Sequence, residues 1–576
     1  TRYISVTGVQ TCALPIFFGF GYVEGFRNAT GVTQNIAVLT EAQRRGEFGS
    51  TTIRDPLTGV PFPGNAIPSG RLDPAALALV ADFVPRPNVG PNRYVVSPTA
   101  QDRRAQFGMR FDTQWAPGHT VVGRYLQSRT SRNDPPTTRP VGTVARATLQ
   151  DIMVADTRSI GSRLYAATRV SYNRIDAHPN VTSGRANSAY GIDVPQNRPD
   201  AAGLANISVD GFFSMGDVAQ PFITRVNDVV QLATDVTWVS GRHTMKAGGD
   251  TRREHMVIAF VNRPNGDFTF NGYATGSAAA DFLLGLPGQF RRATKNADQD
   301  GVGWLSSGYV QDEWRATTTL TVNLGARYEL PLPFVDAHDA LNAFRPGQQS
   351  TRFPAAPVGL VYPGDPGISR GTYRTDRNNL APRLSAVWDV DGSGRSVVRA
   401  AWGVFYDALA GQGDFFQSGV LAPPFTPLVE LNAPATPLTL RAPLANGASG
   451  GQDFPPGLIF IGWGEDFSTP SARHMNVTWQ QVAGPWTTEI GYVGSRGQHL
   501  PIFMEVNPGL YVPGQVAPGR RLFPAFSLVR PTFSVARSWY DSLQASARLR
   551  PTHGVSALVS YTLGRAVDHV SGLNIG

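Results

Sequence analysis

Cysteine is all but missing: Cys12 is the only one in 576 residues, so no intrachain disulfide can form. No run of about 18 apolar residues occurs, which excludes a transmembrane helix. Charged residues make up only 16%, well below the usual quarter or so. The opening stretch "TRYISVTGVQTCALPI" has no initiator Met and no apolar core, so it is not a secretory signal. The chain is therefore either cytosolic or missing its true N-terminus.

Chemistry-bearing motifs are also scarce. The nine His are scattered, with His119, His243 and His553 at short turns, and no HExxH-type spacing points to a metal. "DGSGRS" (391–396) lacks the Lys-Ser/Thr ending and the following helix of a phosphate loop, and reads as a hairpin turn. The sequons "NAT", "NVT" and "NIS" carry little meaning by themselves. No catalytic residues, metal ligands or cofactors are assigned, and no enzyme is expected. The net charge of +8 comes from Arg residues spread singly rather than clustered, so no nucleic-acid partner is expected.

What the chain does have is Gly (61) and Pro (45), the composition of many strands joined by turns and loops. The dominant pattern is a pair of alternating strands around a short turn. In "AQFGMRFDTQWAPGHTVVGRYLQS", Phe107, Met109, Phe111, Thr113 and Trp115 share one face, and Gln106, Gly108, Arg110, Asp112 and Gln114 share the other. Six more pairs turn at Gly161-Ser162, Ser240-Gly241, Ala316–Thr319, "DGSG", "AGPW" and "PTHG". With one strand at 17–26, this predicts one strand plus seven pairs. The intervening connections (27–101, 175–226, 254–307, 331–381 and 408–473) run for tens of residues, far longer than compact domains hold. Short turns at one end and long loops at the other are the plan of an outer-membrane β-barrel.

Aromatic placement agrees. Trp115, Trp238, Trp314 and Trp388 precede short turns, and Trp486 falls in one. Tyr328, Tyr406 and Tyr492, with Tyr125, Tyr172 and Tyr561, lie toward the far ends of the returning strands. A strand of about nine residues separates the two bands, enough for a tilted path through the apolar layer. The opposite face carries Arg110, Arg169, Arg327, Arg383 and Arg399, read as facing a polar lumen. For any one of them, solvation or pairing with Asp112, Asp389 or Glu329 is the simpler role. A soluble sandwich or propeller would have shorter connections and more even spacing. The loop segments "NGDFTFNGYATG" (265–276) and "GEDFSTPS" (464–471) are candidates for a ligand-capturing surface, or else loop padding.

Several stretches, in order, resemble Oar-like TonB-dependent transporters of the bacterial outer membrane: "DPLTGVPFPGNAIPSGRLDPAA" (55–76), "GRHTMKAGGDTRR" (241–253), "ADFLLGLP" (280–287), "YVQDEWRATTTLTVNLGARYE" (309–329), "NNLAPRLSAVWD" (378–389), "EIGYVGSRGQHL" (489–500) and "SYTLGRAVD" (560–568). The resemblance covers nearly all of the chain beyond residue 17. It implies an all-β transmembrane antiparallel barrel, part of a 22-stranded one, with long extracellular loops and short periplasmic turns. It also implies an upstream carboxypeptidase-regulatory-like module and plug, and coupling to the TonB–ExbB–ExbD system. Residues 17–576 then form a partial barrel domain, with the plug and the C-terminal strands outside the sequence. "VTGVQTCALPI" resembles a translated sequencing adapter, and residues 1–16 are expected to be an artefact.

The expected function is energy-coupled uptake of an unidentified bulky nutrient, in the outer membrane of a Gram-negative-type bacterium and in contact with its lipid. The alternatives are an adhesin or assembly protein on the same barrel, a passive porin, and a secreted soluble β-rich enzyme or carbohydrate-binding protein.

Overall fold

The computed structural model describes residues 17–135, 143–178, 185–195, 198–408, 423–445, 453–455, 457–511, 513, 521–552 and 554–569. Residues 1–16 and His553 lie outside them. Fifteen strands follow one another as an antiparallel meander, each bonded to its neighbours in the chain. They are β1 (Phe17–Gly31), β2 (Thr99–Ala116), β3 (His119–Asp134), β4 (Thr143–Ile160), β5 (Leu164–His178), β6 (Phe222–Ser240), β7 (His243–Phe260) and β8 (Gln299–Arg315). The remainder are β9 (Leu320–Asp336), β10 (Leu380–Asp389), β11 (Ser396–Tyr406), β12 (Ser471–Ala483), β13 (Trp486–Phe503), β14 (Phe526–Thr552) and β15 (Val555–Asp568). This is the predicted single strand and seven pairs. Among the described residues, β1 pairs only with β2 and β15 only with β14, so the wall is not closed.

The turn end of the wall is tight, its connections ranging from residues 117–118 to residues 390–395. At the first of these, Gly118 takes a positive φ of 71°, which an L side chain rarely adopts. A Cβ there would also lie 3.1 Å from the Ser159 Cβ. Trp486, expected within a turn, is the first residue of β13.

Most strands are longer than the expected nine residues or so: β6 has 19, β7 has 18 and β14 has 27. The ladder continues past the segment where apolar and polar residues alternate, because backbone groups at the loop end still need partners. Sequence contrast fades there while hydrogen bonding does not. The start of β14 takes a parallel partner, Leu458–Trp463, as a sixteenth strand.

Register fixes the two faces. Trp314 lies opposite Val322, Asp312 opposite Leu324 and Val310 opposite Ala326. The alternate set places Tyr309 opposite Arg327 and Gln311 opposite Gly325. A one-residue slip would exchange the faces. On the first face Leu324 is 48% and Val310 62% exposed, so this apolar surface is not covered by the rest of the chain.

Leu324→Arg should lower stability in bilayers by about 2–4 kcal/mol, whereas Asn323→Arg, one residue along on the opposite face, should cost much less. Urea titration of both variants in vesicles is the measurement. Equal costs would mean the faces are misassigned.

Candidate functional site

The sequence-predicted residues divide cleanly between the faces. Trp115, Trp238, Trp314, Trp388 and Trp486 lie on the apolar face near the turn end and are exposed. Tyr328, Tyr406 and Tyr492 share that face farther along their strands.

All five arginines lie on the other face. Arg110 opposes Phe20 and Arg124, and Arg169 opposes Ala155 and Ala233. Arg327 opposes Tyr309, Arg383 opposes Gly325 and Gly403, and Arg399 opposes Val387 and Thr478.

These arginines do not converge on one point. Arg110 binds Asp112 at 2.7 Å. Arg327 binds Asp250 at 3.0 Å and Glu329 at 2.8 Å, and Asp250 also accepts from Ser307. Tyr309 donates to Asp235 at 2.6 Å in the same region. The expected pairing with Asp389 is not found. Arg399 donates to Gln480 at 3.0 Å, while Asp389 accepts the Gly394 N–H in its own turn at 2.9 Å. Cross-strand register, which the sequence alone does not give, decides that choice.

Arg383 stacks over the Phe405 ring at 4.4 Å, and the His474 ring lies 5.4 Å from Phe405. With Gln311, Asn323, Ser385 and Asn476 they line a cavity of about 540 Å³ on the polar face. Small residues open this space: Gly325 and Gly403 flank Arg383 in register. A cation held on an aromatic face beside amide and hydroxyl groups can bind a polar or anionic group. Sequence reasoning singled out Arg383 but missed Phe405, on its hairpin partner β11, and His474, which arrives on β12 after a long loop. Among the described residues, no group of three or more His, Cys, Asp or Glu is placed to hold a metal ion.

Over the loop end sits a folded cap. Loops 32–98, 179–221, 261–298 and 407–470 share one core, in which Leu39, Leu79, Ile207, Phe268, Phe282 and Leu440 have no more than traces of exposure. Three of these loops contribute strands to a five-stranded sheet running Leu428–Asn432, Gln289–Ala293, Asp267–Phe270, Asn206–Val209 and Phe213–Met215. The helix Pro74–Phe83 starts on Asp73, whose carboxylate accepts from the Ala75 and Ala76 N–H groups at 2.8 and 3.0 Å. The Asp73 N–H itself donates to Leu283 at 2.8 Å, joining the first loop to the third.

The long connections are thus folded: their apolar residues are too many to leave in water. The two segments named as candidates for a capture surface, or else as loop padding, are partly built into the interior. Within 265–276, Phe268 and Phe270 are fully buried and Asp267 is ion-paired to Arg263 and Arg291. Within 464–471, Phe467 and Thr469 are buried. Phe268 and Phe270 build the cap core, whereas Tyr273 is exposed and Phe467 packs on Trp463 and Tyr373.

Electrostatics follow burial in the cap. Burial pushes the Asp281 carboxyl up, against the hydrogen bond from Thr275. Burial also pushes the Arg292 guanidinium down and, outside the cap in the loop between β9 and β10, the Tyr362 hydroxyl up. Asp365 organises the loop between β9 and β10. Burial works to raise its carboxyl, but hydrogen bonds from the Arg352 N–H, Ser350, the Tyr362 N–H and Thr351 outweigh this and hold it below its ordinary value.

A meander with one uncovered apolar face edged by aromatics, one polar face, tight turns at one end and a folded cap at the other is a membrane-spanning β-barrel wall. The chain belongs to the outer membrane beta-barrel domain family, whose model matches residues 16–576. It is an outer-membrane protein, with its turns periplasmic and its cap extracellular.

Among solved structures, the fold is similar to that of the outer membrane transporter YddB from Escherichia coli. The TM-score is 0.51 at 10% identity, covering 96% of this chain and 54% of that one. The FrpB iron transporter from Neisseria meningitidis matches with TM-score 0.41 and 9% identity, over 96% of this chain and 60% of that one. The ferric-catecholate import receptor Fiu from E. coli K12 matches with TM-score 0.42 and 10% identity, over 96% and 64%. The chain spans about half the length of YddB. No curated protein matches.

Asp365→Ala removes the acceptor of three backbone N–H groups and should cost the loop 343–365 about 2–3 kcal/mol. Because the folded carboxyl titrates below its ordinary value, this contribution is present above about pH 4 and lost as pH falls through the folded value. Hydrogen exchange of the 343–365 amides reads both effects. Unchanged protection in the variant at neutral pH would show that Asp365 does not organise the loop.

Proposed function

We propose that the protein is the barrel of a TonB-dependent transporter that takes up a bulky nutrient across the outer membrane. The observation that carries this reading is the cap. Four loops spend a shared hydrophobic core on a folded structure at the extracellular mouth of a polar wall, which a passive pore does not require. Fifteen wall strands also exceed what side chains alone can fill; eight or so already leave an interior just wide enough to pack. The ordered motif resemblance from 55–76 to 560–568 supports the same reading, as does the likeness in fold to a transporter.

In this reading residues 17–576 form one barrel domain, and the cap makes the first contact with the ligand. The polar wall, with the Arg327 network and the Arg383–Phe405–His474 cavity, faces the transport path. The Trp and Tyr bands sit at the two membrane interfaces. Energy arrives through TonB–ExbB–ExbD acting on a plug. No bond is made or broken, so the protein is not an enzyme.

The test uses the product of the full gene, purified from outer membranes. The transporter reading expects no steady KCl conductance in planar bilayers, together with retention on an immobilised periplasmic domain of TonB. A steady open conductance would make the protein a porin. A closed barrel that TonB does not retain would make it a non-transporting surface protein.

A further inference from the structure

The apolar face carries a feature that its role as a lipid contact does not explain. Five of the seven returning strands place an arginine at the same height, ten residues beyond the first residue of the strand. The steps run from His119 to Arg129, Leu164 to Arg174, His243 to Arg253, Trp486 to Arg496 and Val555 to Arg565. The other two returning strands hold Leu330 and Tyr406 there. Lys and Arg together are 51 of 576 residues, so composition alone does not put five arginines at one level.

Because the step is even and side chains alternate, all five face outward, on the side of the tryptophans. Arg253 lies opposite Trp304, and Arg496 opposite Trp539. Ten residues rise roughly 33 Å along a strand, or about 25 Å along the membrane normal at the usual tilt. That is the height of the apolar band, so the arginines stand where the extracellular leaflet ends.

Their partners are incomplete. Arg174 binds Asp228 at 3.0 Å and approaches Asp176 at 3.8 Å, and Arg496 binds Asp541 at 2.7 Å. Arg565 also lies within the electrostatic reach of Asp541. Arg129 and Arg253 form no ion pair with any described residue, and neither does Arg473. Arg473 faces Arg496 directly across the β12–β13 ladder, an unfavourable placement of like charges in which Asp541 answers Arg496 and leaves Arg473 open to a further anion.

We propose that this outward belt binds the phosphate groups of outer-leaflet lipids, their acyl chains lying on the apolar face below. A guanidinium presents a planar fork that matches phosphate oxygens. The belt is continuous with a surface already committed to lipid, and its charge is opposite to that of a phosphorylated headgroup. The proposal rests on the membrane-spanning fold and stands whether or not the barrel transports.

The experiment measures boundary-lipid selectivity by electron spin resonance. The protein of the full gene is held in phosphatidylcholine bilayers with spin-labelled phosphatidic acid or spin-labelled phosphatidylcholine as the probe. The expected result is a preference for phosphatidic acid of about fivefold. It should fall to near equality in Arg129→Gln/Arg253→Gln/Arg473→Gln. The control Arg110→Gln/Arg169→Gln/Arg399→Gln removes the same charge from the opposite face and should keep the preference.

Equal association of the two lipids with the wild type would overturn the proposal, as would a preference that both triple variants lose alike. Inorganic phosphate should weaken the preference more than chloride at equal ionic strength, because it competes for the same guanidinium groups; a preference that responds to neither anion would also overturn the proposal. Should the first triple variant fail to fold, Arg473→Gln alone, which relieves the Arg473–Arg496 opposition, must still lower the preference.

Discussion

Everything in this structure depends on the need to satisfy backbone hydrogen bonds where no water is present. An N–H or C=O left unpaired in hydrocarbon costs several kcal/mol. The chain meets that demand with a continuous ladder between strands adjacent in sequence. Once the ladder is set, side-chain destiny follows from parity alone. Val322, Leu324 and Ala326 must meet lipid if Asn323, Gly325 and Arg327 are to meet the interior. The polar wall and the lipid face are thus one decision rather than two.

The same parity explains why charged groups occur on both faces without conflict. On the inner wall, Arg327 sits among Asp250, Glu329 and Ser307, a network in which each charge is answered by a near neighbour. On the outer face, charge is confined to the two ends of the apolar band. Near the turns, His119 contacts Asp156 and His243 contacts Asp312 at 2.7 Å, each a histidine that opens a returning strand. At the far end stand the arginines. Between these levels the face is made of residues such as Val154, Val170, Val310 and Leu324.

Local patterns were legible in the sequence, and long-range ones were not. Alternation and turn residues gave the single strand and all seven pairs, because both are written in neighbouring residues. The number and placement of tryptophans gave the membrane-facing side. Strand length was underestimated because the outer ends of β6 and β7 keep their ladder without apolar–polar contrast. The cap was missed for a different reason. Leu39, Phe268 and Leu440 meet in one core although some two hundred residues separate each from the next, and no local period announces such a meeting. For the same reason the sequence offered Asp112, Asp389 and Glu329 as carboxylate partners without saying which arginine each would meet, and the ladder brings Arg399 to Gln480 instead.

The shared core of the cap bears on how this surface changes over generations. Exposed loops of a bacterial cell are under pressure from antibodies and phages, and independent loops can vary one at a time. Here four loops are tied through Leu39, Ile207, Phe268 and Leu440, so a change in one interior position must be accommodated by three other loops. Substitutions are therefore expected to be tolerated best in parts of the cap that contribute nothing to the core. The tip at residues 55–60, where Leu57 is 81% and Val60 58% exposed, has that freedom, while the segment 265–276 does not. The cap thus combines an interior that tolerates little change with exposed tips on which packing places few demands.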